Sequence, residues 1–159
     1  MINPTAQKVQ DALRSMGCDA TVIEFSESTR TAQEAAQRAG CELGQIVKSL
    51  IFRGLATGKP ILVLASGANR VDEARLSRLA GEAIGRADAD FVRSATGYAI
   101  GGVPPIGYTH PIETYLDEDL LQYATVWAAA GTPNAIFEIP AGELARITRA
   151  RVVPVKTHQ

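Results

Sequence analysis

The chain has 159 residues, of which 46% are hydrophobic and 21% are charged, a profile typical of globular proteins and unlike that of disordered chains. Its 16 Lys and Arg residues are balanced by 17 Asp and Glu residues, so the formal net charge is −1. That balance excludes a protein that binds nucleic acid through overall positive charge. The length and the lack of a linker-like stretch favour one domain over residues 1–159.

A nucleic-acid partner would therefore need a local basic patch, and the carboxyl-terminal segment is one candidate. The alternative interpretation of this segment is a solvated helix face followed by a terminal strand. The basic residues concerned are Arg146, Arg149, Arg151 and Lys156.

Cys18 and Cys41 belong to no CxxC motif, which predicts free thiols rather than a zinc site or a disulfide. The amino-terminal segment lacks the apolar stretch of a signal peptide. No apolar run approaches the roughly 20 residues that span a bilayer. We therefore expect a cytoplasmic protein with no metal, no cofactor and no membrane partner.

Helix and strand signals follow one another irregularly along the chain. Asn3 and Pro4 are suited to cap and begin a helix that Gly17 ends. Thr31 and Glu34 have the spacing of a capping box. Predicted strands cover residues 20–25, 46–53, 61–66, 112–116, 124–129, 135–139 and 151–155, and further helices cover 32–39, 72–80, 141–148 and a short segment that begins at Asp88 or Asp90 and ends near Thr96.

The strands at 46–53 and 61–66 are joined by a short loop that contains glycine, which predicts an antiparallel hairpin. Because strict β-α-β alternation is missing, we expect an α+β or irregular α/β fold, with a mixed sheet and helices around it. Asp117, Glu118 and Asp119 are predicted to form a surface turn.

The segment IVKSLIF, residues 46–52, places a lysine in a strand that is apolar on both faces. Because side chains alternate along a strand, Lys48 shares one face with Ile46 and Leu50. An unpaired buried ammonium costs on the order of several kcal/mol, so Lys48 needs water, an anion or carbonyl groups. Two interpretations follow: Lys48 extends outward to solvent, or it forms the floor of a pocket and faces a negative charge or carbonyl of a ligand.

The segment TGYAIGGVPPIGY, residues 96–108, is rich in glycine and proline. Adjacent glycines let backbone groups approach a ligand without a Cβ between them, although many such loops are only turns. The segment is neither a P-loop nor a GxGxxG motif. No GxSxG, HExxH or carboxylate pair is evident, and we expect His110 to be structural and His158 to be solvated. Any catalysis would then depend on positioning and backbone dipoles.

Four segments of the chain occur in an order that resembles the YbaK/prolyl-tRNA-synthetase-associated domain family of aminoacyl-tRNA editing domains. The resemblance covers roughly residues 25–155. It implies a single α/β domain with a mixed, barrel-like sheet surrounded by helices. It also implies hydrolysis, in trans, of the ester that joins a wrong amino acid to its tRNA. The segments are TAQEAAQRAG…IVKSLIF, ILVLASGANRVDEARLSRLAG, ATGYAIGGVPPIGY and YATVWAAAGTPNAIFEI.

The resemblance implies that Lys48, Gly101 and Gly102 are catalytic. Lys48 would hold the 3′ end of the tRNA, and the glycine loop would orient the attacking water and stabilise the oxyanion, with assistance from the substrate's own groups. The resemblance also matches Ser49, Gly97, Pro105 and Gly131, which we expect to bind substrate. Ile46, Leu50 and Ala130 are further candidates, which would line a small amino-acid pocket.

The implied substrate is a mischarged tRNA, with tRNA-Pro carrying Cys, Ala, Ser or Thr as the first choice, and a synthetase is a candidate partner. Some family members that remove cysteine carry an acidic residue after the glycine-containing turn, where this chain has Ile136 and Phe137, with Glu138 one or two positions later. The sequence therefore does not favour cysteine over the other small amino acids as the one that is removed. The alternatives are a module that binds a tRNA end or a nucleotide without chemistry, and a protein that keeps the fold without activity.

Overall fold

The computed structural model describes residues 2–157, which contain five α-helices, eight strands and two short 3-10 helices. The helices are α1 (Pro4–Ser15), α2 (Ala32–Ala39), α3 (Glu73–Ala80), α4 (Ala89–Thr96) and α5 (Ala141–Thr148). The strands are β1 (Val22–Glu24), β2 (Ile46–Gly54), β3 (Pro60–Ser66), β4 (Ile84–Arg86), β5 (Glu113–Asp117), β6 (Thr125–Ala129), β7 (Ala135–Pro140) and β8 (Arg151–Val153). The 3-10 helices are Leu43–Gln45 and Glu118–Gln122.

Helices α1, α2 and α4 begin at the polar residues that predicted them. Asn3 accepts a hydrogen bond from the Thr5 N–H at the start of α1. Thr31 and Glu34 form a reciprocal capping box at the start of α2, which satisfies backbone donors that the helix itself leaves free. Asp88, rather than Asp90, caps α4. The predicted helix positions are thus confirmed.

The sheet is mixed, as predicted. Its strand order is β1-β7-β6-β2-β3-β5-β8, and β4 pairs with β2 outside this path. Strands β2 and β3 form the predicted antiparallel hairpin, in which Lys48 lies opposite Ala65. Parallel pairs join β2 to β6, β3 to β5 and β5 to β8. Strand β4, with only three residues, was not predicted.

Both faces of the central hairpin are covered, which explains why its strands are apolar throughout. On one face, Leu62 and Leu64 pack in a cluster that includes Leu13 of α1. On the other face, Ile61 and Val63 pack in a second cluster that includes Leu76 of α3. Burying each such side chain contributes about 1.5–3 kcal/mol, so the hairpin is a rigid base for the residues it carries.

One edge of β2 is open in its middle. Strand β6 pairs with this strand at Ile46 and Val47, and β4 pairs with it at residues 52–54. Within residues 2–157, no strand pairs with that edge at residues 48–51. Lys48 therefore lies where the strand leaves its partner and faces space that a ligand can occupy.

The longest helix of the described chain, α1, has 12 residues. None of the helices within residues 2–157 combines the length and the apolar character needed to cross a membrane.

Candidate active site

Two adjoining cavities lie at the open edge of β2. The larger has a volume of about 810 Å³ and the smaller about 290 Å³. Lys48, Ser49, Leu50 and Gly101 line both of them. The structure therefore brings the strand lysine and the glycine-rich loop to the border of one shared space, as the second interpretation of Lys48 requires.

Lys48 is half-buried, and its Nζ donates a hydrogen bond to the backbone carbonyl of Asn69 at 2.5 Å. Burial lowers the pKa of this ammonium from its ordinary value of 10.5. The negative charge of Asp117 acts in the opposite direction and raises the pKa, while Arg70 lowers it further. The ammonium is thus anchored on one side and borders the cavities on the other.

Ser49 follows Lys48 at the same border, and its Oγ is buried without a hydrogen-bond partner among the described residues. A buried hydroxyl without a partner costs about 1–3 kcal/mol. A ligand that offers a donor or acceptor at this point would remove that cost.

The two loop glycines have different positions. Gly101 borders the cavities with φ of +94°, and a Cβ added there would lie 2.6 Å from Cγ of Arg30. Gly102 lines neither cavity. Its N–H donates to the Ala99 carbonyl at 3.1 Å, and its carbonyl accepts from the Gly131 N–H at 2.8 Å. Gly102 therefore shapes the loop, and its amide is already committed within the protein.

The remaining residues that were predicted to bind substrate divide into two groups. Ile46 lines the smaller cavity. Gly97, Pro105, Ala130 and Gly131 line neither cavity.

The four residues that line neither cavity have other places in the fold. Gly97 ends α4 in the left-handed region, at φ of +82°. Pro105 borders a third cavity. Ala130 is fully buried in the core. Gly131, at φ of +97°, forms a turn where a Cβ would lie 3.1–3.2 Å from side chains of Thr5, Val9 and Tyr98.

The smaller cavity is lined mainly by short and apolar side chains. Ile136 lies in its wall, in the region where the resemblance led us to look for an acidic residue. Glu138 is exposed and accepts a hydrogen bond from Oγ1 of Thr125 at 2.7 Å, so it belongs to the outer surface of β7. The small residues of this wall are Ala32, Ala35, Ala128 and Ala129.

Three arginines around the cavities were not anticipated from the sequence. Arg30 lines the smaller cavity, and Arg70 and Arg86 line the larger. They come from three separate segments that only the fold brings together, so no local motif indicates them. Together with Lys48 they make this region a basic patch in a chain of net charge −1.

The carboxyl-terminal basic residues do not converge on these cavities. Arg146 pairs with Glu143, and Lys156 lies 3.3 Å from Asp119. Arg149 and Arg151 border the third cavity, together with the exposed His110. A nucleic-acid role for this segment stays a prediction, and His158 lies outside the described residues.

The prediction that residues 117–119 form a surface turn is wrong for Asp117. Its side chain is buried, with 1% of the residue exposed. Its carboxylate accepts hydrogen bonds from the N–H of Ser66 and the Nδ2 of Asn69, at 2.9 and 2.8 Å. These donors offset the cost of burying the charge. A run of three acidic residues is usually solvated, and here the chain folds the first of them inward.

Cys18 and Cys41 are free thiols, as predicted. Within residues 2–157, the His, Cys, Asp and Glu side chains form no group able to hold a metal ion.

The profile of the aminoacyl-tRNA editing domain matches residues 26–147. The chain belongs to the aminoacyl-tRNA editing domain family. It is therefore a hydrolase that acts on the ester bond of aminoacyl-tRNA, and the cavities at the open edge of β2 are the candidate active site of this editing domain.

Individual relatives support this assignment. The editing domain is 35% identical over 131 residues to the uncharacterized protein YwhH of Bacillus subtilis, covering 82% of this chain and 83% of that one. It is 31% identical over 133 residues to the "putative Cys-tRNA(Pro)/Cys-tRNA(Cys) deacylase EbsC" of Enterococcus faecalis, covering 78% and 80%. It also matches the crystal structure of "a putative trans-editing enzyme for prolyl tRNA synthetase" with a TM-score of 0.94 and 48% identity, over 99% of this chain and 100% of the other.

Proposed function

We propose that this editing domain acts in trans, in the cytoplasm, on tRNA-Pro that carries a small wrong amino acid. The observation that carries the proposal is that Lys48 and Gly101 form the border between a larger and a smaller cavity. An aminoacylated 3′ end has the same two-part form, with a nucleoside on one side of the ester and a side chain on the other. The ester would then lie at the shared border.

The larger cavity is suited to the nucleotide part of the substrate. Lys48, Arg70 and Arg86 place positive charge around it, and phosphate is recognised by such groups. Its volume of about 810 Å³ is within the usual range for small-molecule sites. Among the described residues that line this cavity, only Glu73 carries a carboxylate, and its side chain is exposed.

The smaller cavity is suited to a short amino-acid side chain. At about 290 Å³ it is near the lower limit of ligand pockets, and alanines form much of its wall. The absence of a carboxylate at Ile136 leaves Ala, Ser and Thr as candidates beside Cys. The printed descriptions of EbsC and of the prolyl-tRNA-synthetase trans-editing enzyme make tRNA-Pro the first tRNA to test.

In the proposed reaction, water attacks the ester carbonyl, the ribose oxygen leaves and takes a proton, and free amino acid and tRNA are released. Lys48 holds the 3′ end and stabilises negative charge near the ester. Gly101 allows the loop backbone to approach the reacting carbonyl, because no Cβ intervenes. Gly102 contributes by fixing the loop on Gly131. Catalysis of this kind depends on positioning and on groups of the substrate itself.

Widening the smaller cavity should change which amino acids are accepted. Ile136 is 2% exposed, so Ile136→Ala should enlarge the cavity and raise activity on bulkier residues relative to alanine by about 10-fold or more. The truncation should also cost about 2–5 kcal/mol of stability, against about 0.5–1.5 kcal/mol for the control Ile136→Val. Deacylation rates for alanyl-, threonyl- and leucyl-tRNA-Pro, with urea denaturation, check both effects. An unchanged ratio in a folded Ile136→Ala protein would contradict the assignment of this cavity.

The test of the proposed function is a panel of tRNA-Pro charged separately with Cys, Ala, Ser, Thr and Pro. We expect release of at least one small wrong amino acid well above the spontaneous rate, and little release of proline. The rival hypothesis, a module that binds the tRNA end without chemistry, predicts binding to the same tRNAs without release. No release from any member of the panel would reject the substrate proposed here.

A further inference from the structure

The buried carboxylate of Asp117 is connected to Lys48 through one residue. Its Oδ2 accepts from Nδ2 of Asn69 at 2.8 Å, and the backbone carbonyl of Asn69 accepts from Nζ of Lys48 at 2.5 Å. Asn69 is also held by its own N–H, which donates to the Ser66 carbonyl at 2.9 Å. The Ser66 N–H in turn donates to the same oxygen of Asp117. Nδ2 of Asn69 also donates to Oδ2 of Asp119 at 2.9 Å. The turn that presents the carbonyl to Lys48 is thus fixed by Asp117 at two points and by Asp119 at a third.

We propose that Asp117 is a positioning residue for Lys48, and that it acts through Asn69. This inference rests on the proposed function, because that function is what makes Lys48 catalytic. The contacts among Asp117, Asn69 and Lys48 do not depend on it. Lys48 and Asn69 both line the larger cavity, whereas Asp117 lies behind them and does not. Asp117 therefore touches no substrate bound there and acts on the cavity through its neighbours.

A purely structural role for Asp117 is the alternative. Its Oδ1 accepts from the Asp119 N–H at 2.9 Å and caps the 3-10 helix at Glu118–Gln122. Such a cap would need no connection to Asn69. The hydrogen bond from Asn69 goes to Oδ2, the other carboxylate oxygen. Substitutions at Asn69 and at Asp117 can therefore separate the positioning of Lys48 from the capping of the 3-10 helix.

Charge provides the readout that distinguishes the two roles. Asp117 raises the pKa of Lys48, against the effects of burial and of Arg70. Of the other charged groups that line the two cavities with Lys48, Arg30 and Arg86 are basic and Glu73 is acidic. Removing the charge at position 117 should therefore let the pKa of Lys48 fall further below its ordinary value, whereas loss of a helix cap alone would not.

The experiment measures the reactivity of Lys48 without tRNA. Labelling with acetic anhydride over a range of pH, followed by mass spectrometry of the Lys48 peptide, gives its titration. Asp117→Asn should shift that titration to lower pH. Asn69→Ala, which keeps the carbonyl but frees its turn, should raise the labelling rate of Lys48 at a fixed pH. Lys59→Ala is the control, because Lys59 lies in the loop between β2 and β3, pairs with Glu113 and contacts neither Asn69 nor Asp117, so it should leave Lys48 unchanged.

The same variants are then assayed with the best substrate of the panel. Misplacing a catalytic group by about 1 Å can cost up to about 100-fold in rate, and we expect Asn69→Ala and Asp117→Asn to lower kcat by about 10-fold with little change in KM. Folded variants with unchanged Lys48 labelling would overturn the proposal, even if their activity were lost. Shifted Lys48 labelling in a protein that deacylates nothing would support the positioning role and reject the proposed function instead.

Discussion

Replacing Lys48 by alanine is expected to slow deacylation of mischarged tRNA by at least about 10-fold, equivalent to about 1.4 kcal/mol of transition-state stabilisation. The ammonium is the positive group at the border of the two cavities, and it is held there by the Asn69 carbonyl. Its loss removes both the contact to the 3′ end and the charge near the ester. Lys48→Met, which keeps much of the apolar stem, should be equally slow.

Stability should change little in these variants, by about 1 kcal/mol or less, because one hydrogen bond is lost while the cost of a half-buried charge is relieved. Lys59→Ala is the matched control. Lys59 lies in the loop that joins β2 to β3 and pairs with Glu113 at 2.9 Å, and its removal should leave deacylation unchanged. Rates measured at saturating tRNA, with thermal melting of each variant, check the prediction. Equal rates for wild type and Lys48→Ala would show that Lys48 has no catalytic role.

The second large effect is expected from Gly101→Ala. At φ of +94°, a side chain at this position is strained by about 1–3 kcal/mol, whatever space surrounds it. The added Cβ would also meet the Arg30 side chain at 2.6 Å. We expect the loop to move away from the cavity border and deacylation to fall by up to about 100-fold. The melting temperature should also fall.

Two further variants test why Gly101→Ala lowers activity. Gly142→Ala lies in α5, where an added Cβ meets no atom within 4 Å, and it should stabilise the protein by about 0.5–1 kcal/mol without changing activity. Arg30→Ala combined with Gly101→Ala removes the side-chain clash but not the backbone strain. If the double variant recovered full activity, the clash and not the backbone conformation would be the cause, and the assigned role of Gly101 would be wrong.

The fold was largely predictable because its elements carry local signals. Capping residues such as Thr31 and Asp88 mark helix starts, and the apolar β2–β3 hairpin is marked by its glycine-containing loop. Strand β4 was missed because three residues are too few to show a period. Its pairing with β2 depends on contacts between distant segments, which no local pattern reports.

The site was predictable only where one residue conflicted with its local setting. Lys48 stood out because an ammonium does not belong in an apolar strand. Asp117 showed no such conflict within an acidic run, and its burial follows from donors at Ser66 and Asn69, far away in the sequence. Arg30 and Arg70 likewise reach the cavities only through the fold. Gly131 was implied by the resemblance and Ala130 was a candidate for the amino-acid pocket; both line neither cavity, since Ala130 is buried in the core and Gly131 forms a turn.

The most direct measurement of the central claim counts turnovers at the border formed by Lys48 and Gly101. Wild-type protein is mixed with a large excess of tRNA-Pro carrying the amino acid most rapidly released in the panel, and free amino acid is followed with time. We expect many equivalents of amino acid to be released per protein molecule, and a rate at least about 10-fold lower with Lys48→Ala. Release that stops at one equivalent, or that never exceeds spontaneous hydrolysis, would contradict this expectation.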